Sequence, residues 1–212
     1  MDLSAVANEL RNRFDSKTRA REIGLSSSRS AIRACGNAIR ALHRYEWDKT
    51  EELIGEAESH LDEARSALRD HPDVLYAGFF HDAEKELVEA RVTYALVTDA
   101  SFPSLDDLAA SPQAYAKGMA EAIGELRRHI LDLMRRGQIK RCEELLGKMD
   151  DMYYVLVSMD YPDGITFGLR RLTDVARSII ERTRGDYTTS SIQASLRAAL
   201  EAHSANLEGR SP

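Results

Sequence analysis

Apolar residues recur at intervals of three and four along most of the chain, the spacing of one face of an α-helix. The first stripe is Leu3, Val6, Leu10 and Phe14, which predicts an amphipathic helix over residues 3–23. Gly24, followed by Ser26, Ser27 and Ser28, marks a place where that helix breaks or weakens. The stripe resumes with Ile32, Cys35, Ile39 and Leu42. Leu53, Ala57, Leu61, Ala64 and Leu68 then define a helix over residues 46–70 with a strongly acidic outer face. Pro72 ends it, because the residue before a proline avoids the helical region.

The next helix is predicted over residues 73–98. One stripe runs through Tyr76, Phe80, Ala83, Leu87, Ala90 and Tyr94, and Val88, Val92, Ala95 and Leu96 fill much of the opposite side. From residue 87 onward it is apolar almost all round, the mark of a helix covered on several sides. One domain of this size does not readily supply that cover, so a homo-oligomer larger than a dimer is expected. Residues 99–111 read as a loop. Ser111 and Pro112 suit the N-cap and first turn of a helix, which carries Tyr115, Met119, Ala122, Leu126, Ile130 and Leu133 and stops at Gly137. Residues 138–159 form another helix, 160–164 a turn, and 165–184 a last long helix. Gly185-Asp186 is expected to break it before a short helix over 189–203. The reading is all-α: one domain of six or seven helices over residues 1–204, with a flexible tail over 205–212.

Composition agrees. Among 212 residues there are 12 glycines and 5 prolines, too few to punctuate a sheet-rich fold. The net charge of −6 does not draw nucleic acid to the surface as a whole, so any such site must be local and basic. Cys35 and Cys142 are far apart and form no CxxC, which reads as reduced core thiols in a cytoplasmic protein. No apolar run approaches the ~18–20 residues of a membrane span, and the N-terminus lacks the pattern of a signal peptide. No membrane association is expected.

The usual nucleotide cradles and the GxSxG elbow are missing. Glu86 and Glu89 share one helix face, as do Glu121 and Glu125 on the helix after it. Four carboxylates from two helices can bind a divalent cation; acidic pairs at this spacing are also common on solvated faces. Carboxylates where a helix becomes apolar all round need a cation, a donor or a proton. Neither Glu86 nor Glu121 is followed three residues later by histidine, which disfavours a di-iron centre. An all-oxygen set suits Mg²⁺ or Mn²⁺. Arg29, Arg33, Arg40 and Arg44 form a basic line off the apolar stripe, either a solvated face or a rail for phosphates. Arg127, Arg128, Arg135, Arg136, Lys140 and Arg141 cluster where cations also complement a helix C-terminus.

Ser28-Arg29 with Leu42-His43-Arg44, then Glu86-Leu87-Val88-Glu89-Ala90, then Tyr115-x-x-Gly118 with Gly124-Glu125-Leu126-x-Arg128, follow one another in a distinctive order. Together they resemble the translin family, which contains translin and translin-associated factor X. The middle segment is similar to the E-[YF]-V-E-A segment of the factor X branch, and the whole is similar to archaeal members. The resemblance implies a seven-helix domain assembling into a hollow homo-oligomer, typically an octamer, with RNA or single-stranded nucleic acid inside. In the factor X branch it implies a metal-dependent endoribonuclease acting on short or single-stranded RNA. By position, Glu86, Glu89 and Glu121 become catalytic and, with Glu125, metal-binding. Glu121 stands where that branch has an aspartate. Arg29, Arg33, Arg40, Arg128 and Arg136 become RNA-binding. The translin branch implies the alternative, a non-catalytic protein that binds single-stranded RNA or DNA; a purely structural helical oligomer is the third possibility.

Overall fold

The computed structural model describes residues 3–76 and 78–208. The described residues form helices and no strand: α1 Leu3–His43, α2 Trp47–Leu68, α3 Pro72–Leu75, α4 Gly78–Thr98, α5 Pro112–Arg135, α6 Ile139–Val157, α7 Asp163–Thr166 and α8 Leu169–Glu208. The fold is all-α.

Two expected breaks are absent. α1 runs unbroken through Gly24 and the serines. These small residues instead let α2 come close. A Cβ on Gly24 would lie 2.6 Å from Leu68 Cδ1, and Ser27 Oγ donates to Glu63 Oε2 at 2.9 Å. α8 likewise passes through Gly185-Asp186. There the Thr188 and Thr189 hydroxyls bond back to the carbonyls of Arg184 and Gly185 at 2.8 and 3.1 Å. Elsewhere the helices start later than the apolar pattern suggests. α3 is a single turn ahead of α4. α8 begins only after Phe167 and Gly168, whose φ values of 50° and 86° lie in the left-handed region and stop the preceding turn. α8 reaches Glu208, so the expected tail is helical at 205–208, and 209–212 lie outside the described residues.

The chain divides into two compact units, the first ending at Met119 and the second starting at Ala120, inside the continuous helix α5. In the first unit α1 packs along α2 and α4, and α2 meets α4. The core is built largely from alanines of α1 (Ala31, Ala34, Ala38, Ala41) against Ile54, Leu61 and Leu68 of α2 and Phe80 and Leu87 of α4. Small side chains on one helix allow long ones on its neighbours to fill the gap at close-packed density.

Polar contacts fix the register. Arg91 of α4 donates to both oxygens of Glu58 at 2.8 and 3.0 Å and to Glu51 at 2.7 Å, both on α2. Burial disfavours its charge, but these hydrogen bonds win and hold the guanidinium above its ordinary range. Glu84 is buried at 4% exposure. It accepts from the Ser111 hydroxyl at 2.8 Å and lies 3.3 Å from His81 Nδ1 and 3.7 Å from Arg65 Nη2. Arg65 also donates to the Ala109 carbonyl at 3.1 Å. This cluster pins the loop that leads into α5.

In the second unit α6 packs on α8, burying Cys142, Leu145 and Met149 of α6 and Ala176 and Ile180 of α8. Arg127 of α5 reaches α8, with Nη1 3.1 Å from Thr183 Oγ1 and Nη2 2.9 Å from Asp186 Oδ2.

Val88, Val92, Ala95 and Leu96 of α4 are all buried within the single chain. The all-round apolar character of α4 is therefore met inside the protomer and does not call for a second copy. The unmet apolar surface lies elsewhere: Leu3, Val6, Leu10 and Phe14 of α1 are 63, 51, 49 and 65% exposed.

Two glycines give a paired test of close approach. A Cβ on Gly118 of α5 would lie 2.5 Å from the Lys85 carbonyl oxygen and 2.7 Å from Val88 Cβ, whereas one on Gly55 of α2 would meet nothing within 4 Å. Gly118→Ala is expected to lower stability by about 1–3 kcal/mol through overpacking. Gly55→Ala, in an open helix interior, is expected to raise it by about 0.5–1 kcal/mol. Denaturant unfolding of both variants checks the contrast. An equal gain from both would remove the close crossing of α4 and α5.

Candidate functional site

Helix spacing brings the first two acids together. Glu86 and Glu89 are three residues apart on α4, so their side chains rise from neighbouring turns of one face. The third comes from α5, whose first turns pack on α4 where Gly118 meets Lys85 and Val88. Glu121 sits three residues beyond Gly118 on the same face of that helix. Glu86 and Glu89, and Glu121 just past the end of the first unit, are each half-buried. Carboxylate oxygens from neighbouring turns of one helix are the donors that a hard cation such as Mg²⁺ or Mn²⁺ takes. Glu125, one turn further along α5, has its Oε2 3.9 Å from Arg128 Nη1.

The surroundings add two features that the sequence reading did not single out. Lys85 Nζ lies 3.0 Å from Glu86 Oε1, with only 15% of its side chain exposed. Cys35 of α1 is buried at 1% exposure. Burial, then the charges of Glu86 and Glu89, push its thiol up to about 12, so it stays neutral and adds no charge to the carboxylates. Burial raises the Cys142 thiol as well. Both cysteines are free. Nothing in the run Glu84-Lys85-Glu86 separates Lys85 from an ordinary solvated lysine, and Gly118 is legible only as a letter of its motif. Arg91, two residues beyond Glu89, is committed to Glu58 and Glu51.

The predicted arginines fall into two groups. Arg29, Arg33 and Arg40 are exposed on α1, and their spacings of four and seven align them along one side. Arg40 donates to Asn37 Oδ1 on its own helix. Arg44 departs from the line, held by both oxygens of Glu46 at 2.8 and 2.7 Å. Arg128 and Arg136, in the second unit, are exposed on α5 and just past its end. No helix among the described residues is long and apolar enough to cross a membrane.

No protein-family model matches the chain. An uncharacterized protein of Methanocaldococcus jannaschii is 32% identical over 184 residues, which cover 86% of this chain and 81% of that protein. Among solved structures, the crystal structure of AfC3PO and the structure of an AfC3PO–duplex RNA complex are both similar. Each has a TM-score of 0.83 at 31% identity, covering 88% of this chain and 97% of AfC3PO. Apo-NeC3PO shares the fold with a TM-score of 0.79 at 17% identity, covering 87% and 96% of the two chains. The Glu86–Ala90 and Tyr115–Gly118 segments lie on α4 and α5, the helices that carry the three carboxylates, and the likeness to AfC3PO, itself a translin-family protein, spans nearly that whole chain: this protein belongs to the translin family.

Proposed function

We propose that the protein is an RNA-binding, metal-dependent endoribonuclease that acts on short RNA inside a homo-oligomeric shell. The observation that carries this reading is the pair of half-buried carboxylates, Glu86 and Glu89, on one face of α4 in a chain of the translin family. The solved complex of AfC3PO with duplex RNA supports RNA as the ligand, and extends the expected substrate from single strands to short duplexes.

In this reading Glu86, Glu89 and Glu121 hold Mg²⁺ or Mn²⁺ through oxygens alone, and Glu125 completes the acidic set one turn along α5. Such an ion, when bound, activates a water and stabilises the charge that develops on the phosphate during cleavage. The carboxylates sit on two helices fixed by backbone packing, so their positions do not depend on a loop. Arg29, Arg33 and Arg40, with Arg128 and Arg136, contact the RNA backbone without reading sequence. The exposed stripe of α1 and the exposed Ile192, Leu196 and Leu200 of α8 are faces for further copies, as in an octamer. Two buried free thiols fit a reducing, cytoplasmic setting. A non-catalytic protein binding single-stranded RNA or DNA would share the arginines and the shell, and would differ only at the carboxylates.

Glu89→Gln separates these readings. It removes one charge and little volume, so fold, assembly and RNA binding should persist while cleavage falls at least ~100-fold. Cleavage, RNA affinity and melting temperature are measured on the same preparation; cleavage equal to the parent would leave the binding-only protein as the reading.

The arginine line is tested with salt. Replacing Arg29, Arg33 and Arg40 by alanine should weaken RNA binding and reduce the log–log salt slope by up to roughly one unit per residue. Unchanged affinity and slope return the line to a solvated face.

Light scattering tests the shell. A mass several times 23.8 kDa is expected at micromolar protein, and the value of a single chain there would sink it.

A further inference from the structure

The exposed stripe of α1 has a charged border of one sign. At about 100° per residue, Leu3, Val6, Leu10 and Phe14 fall within an arc of about 80°. Arg13, Lys17 and Arg21 lie within about 65° of the middle of that arc, whereas Glu9, Asp15 and Glu22 lie about 100° or more from it. Lys17 is engaged by Asp73. Arg13 pairs with Glu9 on its own helix, an exposed pair of a kind that contributes little and is readily exchanged. The stripe is thus an apolar band edged with cations.

A second surface lies wholly within the second unit. The end of α6, the turn of α7 and the start of α8 enclose a groove of about 660 Å³. Leu156 of α6 and Leu169 of α8 line it and are buried, and Met159 and Tyr161 line it and are exposed. The Gly168 N–H donates to Asp163 Oδ1 at 2.8 Å and so fixes the turn of α7. Ile165 and Phe167 on that turn are exposed too. Asp160, Asp163 and Asp174 stand exposed along the groove, with Arg170 the cation among the lining residues. Clustered apolar exposure with a polar border marks a surface that meets a partner.

Charge selects the partner. The same groove of a second copy would set aspartates against aspartates, and a second α1 would set arginines against arginines; like charges across an interface are disfavoured. The stripe of Ile192, Leu196 and Leu200 on α8 carries Arg197 and Glu201 together and offers no net charge. The first half of α1 offers both an apolar band and a basic edge. We infer that this half of α1 in one copy docks in the α6–α7–α8 groove of another, Leu10 and Phe14 against its apolar lining, Arg13 and Arg21 beside its aspartates. The inference rests on the proposed shell and names the contact that builds it. Each surface is used by itself, on a different copy. Such a contact is heterologous: every chain gives one element and receives one, the arrangement from which closed rings are made.

The test has two arms on the full chain. In the first, Phe14→p-benzoylphenylalanine is irradiated, and the species with the mass of two chains on a denaturing gel is analysed by mass spectrometry. Position 14 should be joined to a peptide within residues 153–174. In the second, light scattering over a dilution series gives the concentration at which the assembly half dissociates. Arg13→Glu with Arg21→Glu should raise it at least about tenfold, as should Asp160→Arg with Asp174→Arg. A chain carrying all four changes should return toward the parent, since the reversed charges again match; a folding defect would not be repaired in this way. An adduct on a second α1, on residues 192–200 or elsewhere, or no two-chain adduct in an assembled protein, overturns the inference and leaves the shell standing. So does a fourfold variant weaker than either pair, or two pairs that assemble like the parent. A parent with the mass of a single chain removes the shell and the inference together.

Discussion

Two helix backbones cannot come within contact distance unless one of them presents no side chain where they cross. On α5 that place is Gly118, whose missing Cβ leaves room for the Lys85 carbonyl and Val88 of α4. The three acids stand next to this contact: Glu86 and Glu89 each follow a touched residue of α4 by one position, and Glu121 is less than a turn from the glycine. The placing of the α4 acids therefore depends on a packing constraint before it depends on any electrostatic one. The Glu84 cluster works toward the same end, since it fixes Ala109 and Ser111, the residues that lead into α5.

Placing like charges together costs energy, and the fold places cations to match. Arg91 neutralises part of the acidic face of α2 and so keeps Glu58 and Glu51 tied to α4. Lys85 does the corresponding work beside Glu86. The net charge of −6 hides this arrangement, because it averages over pairs that never act as free charges.

Helix existence was legible in the sequence, because a stripe at three and four survives whatever covers it. The carboxylate pairs were legible too, since spacing along a helix fixes their face. Helix continuity was not. Gly24 with three nearby serines, and Gly185-Asp186, have the composition of breaks, yet in each place tertiary contact or hydroxyl back-bonding outweighs local preference. The cover of α4 was misjudged for a related reason: periodicity shows that an apolar face exists but not which element meets it. The close approach of the start of α5 to α4 follows from Gly118 only when the partner helix is known. Lys85 was invisible because a lysine among glutamates is usually solvated.

α1 spans roughly 60 Å at the rise of an α-helix, and no described residue before Ala20 is buried. The first half of this helix is thus an exposed strut, tied to α3 through the pair of Lys17 with Asp73. An unsupported helix of that length is marginal in water, so whatever order it has must be borrowed from what it touches. In the proposed shell it would touch further copies, and its folding would then be tied to protein concentration. Dilution should unwind the strut while the packed base of the first unit stays intact, and the chain's helix content would report its own state of assembly.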